Sequence, residues 1–143
     1  MILQVTGAAN CSWYCPFLCA AVTAAYAALR DTFWGAAAGT VAGGRAVFAG
    51  AGNDHLVYVW DAGTGRLLGE PLVGHGSSVK AVATFRLPGG GLGVASGGDD
   101  GTVRLWDAEA GTPVAELLTG HDGWFTELTT LELGDGCTMV AAG

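Results

Sequence analysis

From Asp31 onward the chain is written in short apolar runs separated by Gly, Asp and Asn. His55–Trp60 (HLVYVW) and Thr102–Trp106 (TVRLW) alternate partly in period two and are rich in Val, Thr and aromatic residues. Such runs put one set of side chains on each face of a pleated strand. Val79–Phe85 (VKAVATF) reads the same way, as does Gly91–Gly97 (GLGVASG) after the turn signal at Pro88-Gly89-Gly90. Gly65–Leu72 (GRLLGEPL) and Thr112–Leu118 (TPVAELL) predict further, outer strands. Strand-sized runs every ~8–12 residues, with turn residues between them, predict an all-β sandwich, barrel or propeller. The alternation alone does not choose among the three.

Residues 1–30 follow another pattern. No charged side chain occurs before Arg30, and the 19 residues Cys11–Leu29 are Ala-rich with Pro16 near their start, which predicts a helix. That length is at the lower edge of what spans a bilayer. No positive segment precedes the run, as a secretory signal requires, and Arg30 is cancelled by Asp31. A buried or amphipathic helix, a membrane or signal segment and a non-native extension all stay open here. Cys11, Cys15 and Cys19 recur at every fourth residue, with Cys137 far away, so they are not a paired disulfide framework. A thiolate metal site needs a fourth Cys or a His, and no His lies nearby. The cysteines read as small apolar side chains of a reduced protein.

The chain repeats itself at an interval of 46 residues. Ala51–His75 lies over Gly97–His121 without a gap, so that Trp60-Asp61 meets Trp106-Asp107 and Gly74-His75 meets Gly120-His121. Between 52–75 and 98–121, 11 of 24 positions are identical, among them Asp54/Asp100, Val57/Val103 and Glu70/Glu116. A fixed interval of this size is the mark of a repeat architecture.

The interval, the Gly-His pairs and the Trp-Asp pairs together resemble the WD40 repeat of β-propellers, over roughly residues 31–143. The resemblance implies an all-β fold, a partial WD40-type propeller with blades at about 31–73, 76–119 and 122–143. It also implies a hydrogen-bonded tetrad in each blade, carried in the second by His75, Ser96, Asp100 and Trp106. This set is expected to be structural, because a catalytic Ser must be exposed and activated. The first blade keeps Asp54 and Trp60, but has Ala28-Leu29 in place of Gly-His, Gly50 in place of Ser and a weak inner strand at Phe33–Gly39. The third opens with His121 and a strand in Trp124–Leu133, and its Trp-Asp strand is missing. One full blade, one eroded blade and half of another do not close a ring of four to eight. A piece of a longer protein, an assembly of copies and a cover formed by residues 1–30 are three ways out, and the first is the reading preferred here.

Composition narrows the function. Half the residues are apolar, 13% are charged and 25 are Gly, which fits a folded chain with many tight turns. A net charge of −7 with six Lys and Arg argues against nucleic acid as partner. The Gly-rich stretches at Gly39–Gly44, Gly50–His55 and Gly89–Gly98 lack the Lys-Ser/Thr and the strand–helix setting of a phosphate loop. Asp99-Asp100 is explained by a hairpin turn before Gly101, and His55 by a turn at the matching position. No catalytic, metal or cofactor site is expected. The resemblance implies a cytoplasmic, non-catalytic scaffold for other proteins or peptides, basic ones being favoured by its acidic surface. Ser77, Ser78, Lys80, Asp99, Asp122, Trp124 and Phe125 are the candidate contacts, the last two serving equally as core. The alternative is a propeller piece tethered to a membrane by residues 11–29.

Overall fold

The computed structural model describes residues 33–118, 125–133 and 137–143, which therefore excludes the extension 1–30, His121, Asp122 and Trp124. The described residues hold ten strands and no helix, and so no helix long and apolar enough to cross a membrane.

Two four-stranded antiparallel sheets repeat each other almost residue for residue. In the first, β1 (Phe33–Thr40), β2 (Ala46–Gly52), β3 (Leu56–Asp61) and β4 (Leu72–Val73) pair in chain order. In the second, β5 (Val79–Arg86), β6 (Leu92–Gly98), β7 (Thr102–Asp107) and β8 (Thr112–Leu118) do the same. The first three strands of the two sheets are offset by the 46-residue interval at both ends. A hairpin of β9 (Leu128–Glu132) and β10 (Thr138–Ala142) forms the third sheet.

The outer strand of the first sheet is much shorter than the apolar run Gly65–Leu72 predicts. The turn before it is not the reason: Asp61 Oδ1 accepts the N–H groups of Gly63 and Thr64 at 2.8 and 2.9 Å and its carbonyl that of Gly65, and Asp107 makes the same turn before the full-length β8. The difference lies further on, at Pro71, which offers no N–H to a ladder where β8 has Leu117 paired with Val103. Pairing is confined to an isolated bridge, Trp60 with Leu67, and to Leu72–Val73. The third sheet also starts later than Trp124: Thr126 and Glu127 both donate to the carbonyl of Gly143, and regular pairing begins at Leu128.

Sheets stack face to face through small and branched side chains. Ala49, Ala51, Val57, Val59 and Leu72 of the first sheet pack against Val82, Val94 and Trp106 of the second. On the opposite face of the second sheet, Ala81, Ala83 and Val103 meet Phe125 and Leu128. The Gly and Ala content that makes Phe33–Gly39 a weak strand in isolation is what this stacking needs. A Cβ on Gly35 would lie 3.0 Å from the backbone nitrogen of Val82, and one on Gly39 2.8 Å from Leu92. Tertiary contact overrides propensity here.

A hydrogen-bond series also runs through the stack. Thr84 Oγ1 donates to the carbonyl of Ala38 at 2.8 Å, and Thr130 Oγ1 to the carbonyl of Thr84 at 2.6 Å. Each donor sits 46 residues after its acceptor, so the same bond is made twice by equivalent positions of successive sheets. Arg86 adds a bond to the carbonyl of Thr40 at 2.7 Å and another to its hydroxyl.

Candidate functional site

The second sheet encloses a chain of four polar side chains. Trp106 Nε1 donates to Ser96 Oγ at 2.8 Å, and Ser96 Oγ lies 2.7 Å from His75 Nε2. His75 Nδ1 faces the Asp100 carboxylate at 3.0 and 3.2 Å. The protons follow from the partners. A carboxylate accepts, so Nδ1 carries the imidazole hydrogen, Nε2 accepts from the Ser96 hydroxyl, and that hydroxyl accepts from the indole. Every donor in the chain has one acceptor.

Local sequence places each member. Ser96 points inward from β6, opposite Arg104 in the ladder, while Trp106 stands opposite Val94 two residues further along. His75 reaches the sheet from the segment before β5, and Asp100 from the β6–β7 turn. Asp100 is fixed by the N–H groups of Gly76 and Thr102 at 2.8 and 3.1 Å and by the Thr102 hydroxyl at 2.8 Å. Burial alone would raise the Asp100 pKa, but these donors and His75 outweigh it and hold the carboxyl at about 2. Burial pushes the His75 pKa down, against the pull of Asp100, so the imidazole is neutral at pH 7.

Glycines flank the imidazole because nothing larger fits. A Cβ on Gly74 would lie 2.8 Å from the tip of Trp106, and one on Gly98 2.8 Å from His75 Nδ1. Ser96 is 0% and Trp106 1% exposed. A hydroxyl sealed in this way and already held by an indole and an imidazole has no access to a substrate.

The first sheet fills the same space differently. Gly50 replaces Ser96, Tyr58 replaces Arg104 and Phe48 replaces Val94 in the matching register. Trp60 is 2% exposed and stacks on Phe48 and Tyr58 at centroid distances of 5.3 and 5.5 Å. Asp54 accepts the Tyr58 hydroxyl at 2.7 Å instead of an imidazole. Burial, with Asp54 beside it, pushes the Tyr58 pKa up to about 12.

Residues 65–107 match the family model described as "WD domain, G-beta repeat". Residues 65–107 carry one WD40 repeat. The WD40 match runs from the turn before β4 to the end of β7, so one repeat of sequence supplies the outer strand of the first sheet and three strands of the second. Among solved structures, the chain resembles the "WD40 beta propeller domain of Doa1" at 27% identity and a TM-score of 0.50, over 67% of this chain and 30% of that one. It thus spans under a third of the length of that WD40 chain. No curated protein matches the sequence. WD40 propellers are generally non-catalytic scaffolds that bind other proteins.

The candidate contacts separate. Phe125 is 1% exposed and belongs to the core between the second and third sheets. Ser77 and Ser78 are half-buried. Lys80 Nζ pairs with Asp99 at 3.4 Å and sits 4.1 Å from the centre of the Trp34 ring. Trp34 is 47% exposed, and its indole N–H donates to Asn53 at 2.6 Å. Sequence reasoning missed Trp34 and Asn53. The signal was available, since the repeat sets Trp34 over Lys80 and Asn53 over Asp99.

Proposed function

We propose that the chain is a non-catalytic interaction scaffold, part of the propeller of a larger regulatory or signalling protein. Its partner is met where Trp34, Lys80, Asp99 and Asn53 gather. The observation that carries this reading is the half-exposed Trp34 ring under the Lys80 ammonium, at the shared end of the two innermost strands. An aromatic face with a cation and a carboxylate beside it offers apolar area and oriented charge together, and Trp is among the residues enriched at interaction hot spots. The proposal of a larger whole is supported by the small share of the matched propeller that the chain spans.

Selection of peptides from a random display library on the full chain tests the contact surface. Binders that lose affinity for Trp34→Ala and Lys80→Ala variants of unchanged melting temperature support the reading. Binders indifferent to both substitutions contradict it.

A further inference from the structure

A second feature of the surface lies away from Trp34, at the junction of the first two sheets. The turn after β7 faces the segment entering β4 across a cleft of about 170 Å³. Its floor is apolar: Val59, Leu72 and Ala108 are 6%, 4% and 5% exposed. Its lining includes two exposed acidic residues, Glu70 on the first sheet's side and Glu109 on the second's, with Ala110 beside the latter.

One wall is fixed by an Asx turn and the other by backbone pairing. Asp107 Oδ1 accepts the N–H groups of Glu109 and Ala110, each at 2.9 Å, and its carbonyl accepts that of Gly111 at 2.9 Å. Opposite, Leu68 donates to the carbonyl of Val59 at 2.8 Å. Glu109 Oε1 accepts the N–H of Ala42 at 2.9 Å, which ties the carboxylate to the first sheet across the junction. The Lys and Arg ion pairs of the described residues use Arg45, Lys80 and Arg104, and none involves Glu70 or Glu109.

Size sets the class of occupant. Sites for drug-sized ligands run from about 300 Å³ upward, whereas a cavity of about 150 Å³ accommodates one benzene-sized group. The cleft therefore suits a single side chain. An apolar floor beneath two carboxylates on opposite walls fits a methylene stem that ends in a compact cation with several donors. We propose that this cleft receives a lysine side chain of the partner protein, its stem on Val59, Leu72 and Ala108 and its ammonium between Glu70 and Glu109. The proposal rests on the scaffold reading and adds the chemistry of one partner residue.

An NMR titration of the full chain tests it, with Nα-acetyl-lysine methylamide as the probe and its norleucine analogue, which keeps the four-carbon stem without the ammonium, as the control. The expected result is saturable shifts at the backbone and methyl signals of Ala108 and Ala110 with the lysine probe and none with norleucine. Glu70→Gln with Glu109→Gln should weaken that binding several-fold, while Glu132→Gln, on the exposed face of β9, leaves it unchanged. Shifts that never saturate, that spread over the acidic surface, that fall equally with Glu132→Gln or that norleucine reproduces would overturn the proposal. The peptide selection at Trp34 reads a different surface, so failure of the lysine probe leaves that result standing.

Discussion

The first and second sheets share a backbone and differ in what fills it. At one position the second sheet has Ser96 and the first Gly50; at the next it has Val94 where the first has Phe48. Around Ser96 the interior is a polar chain from Trp106 to Asp100, with every donor matched. Around Gly50 it is an aromatic stack, Phe48 and Tyr58 against Trp60. The missing hydroxyl is replaced by ring area and the missing imidazole by a phenol on Asp54. A blade thus needs its Trp-Asp strand and a filled interior, and the polar network is one of two ways to fill it. The networked version depends on complete pairing, since one lost member leaves the rest buried without partners.

Removing that pairing should have the largest effect. His75→Ala leaves Asp100 and Ser96 short of a partner and should cost about 1–3 kcal/mol in urea unfolding. His55→Ala, at an exposed turn of the first sheet, should stay within ~0.5 kcal/mol. Equal losses from both would remove the distinction between the two sheets. Gly74→Ala comes next: its methyl must displace the Trp106 ring, at a cost of about 1–3 kcal/mol. Gly69→Ala, with nothing within 4 Å of the added carbon, should be nearly neutral in the same assay.

Acid should act on the second sheet in two stages. Asp100 holds its carboxyl at about 2, below the ordinary 3.8, so its contribution is complete above pH ~4 and is lost as pH falls toward 2. His75 has a lowered pKa, so the unfolded chain takes up a proton first, and stability declines as pH drops below the ordinary 6.5. Urea midpoints measured against pH should show both declines in the parent, and His75→Gln should remove the upper one. The smallest effect belongs to the turns. His55 has φ 68° where the matching Gly101 has 73°, so His55→Gly should gain up to about 1 kcal/mol, read as a rise in melting temperature.

Much of this was legible in the sequence, because the repeat states its own register. Trp60-Asp61 over Trp106-Asp107 sets the strand offset, and the resemblance drawn from those pairs names the four residues that the structure brings together around Ser96. Two things were hidden. Gly35 and Gly39 look like strand breakers until the neighbouring sheet is seen within 3.0 Å of their α-carbons' missing substituents. The apolar run Gly65–Leu72 looks like one strand, but its pairing with β3 is confined to Leu67-Leu68 and to Leu72, with Pro71 lacking an N–H between them. Both depend on contacts across sheets or turns, to which strand periodicity is blind. Trp34 was passed over for a simpler reason: its partner Asn53 lies in a turn that had been read for its glycines.

The most direct measurement is a double-mutant cycle on Ser96→Ala and Trp106→Phe, with stabilities from urea unfolding. Trp106→Phe keeps an aromatic ring and removes the indole N–H that Ser96 accepts. A connected network predicts a coupling energy of about 1–2 kcal/mol between the two substitutions. Losses that add within ~0.5 kcal/mol would mean that the four residues are merely neighbours, and that the second sheet is held by its apolar packing alone.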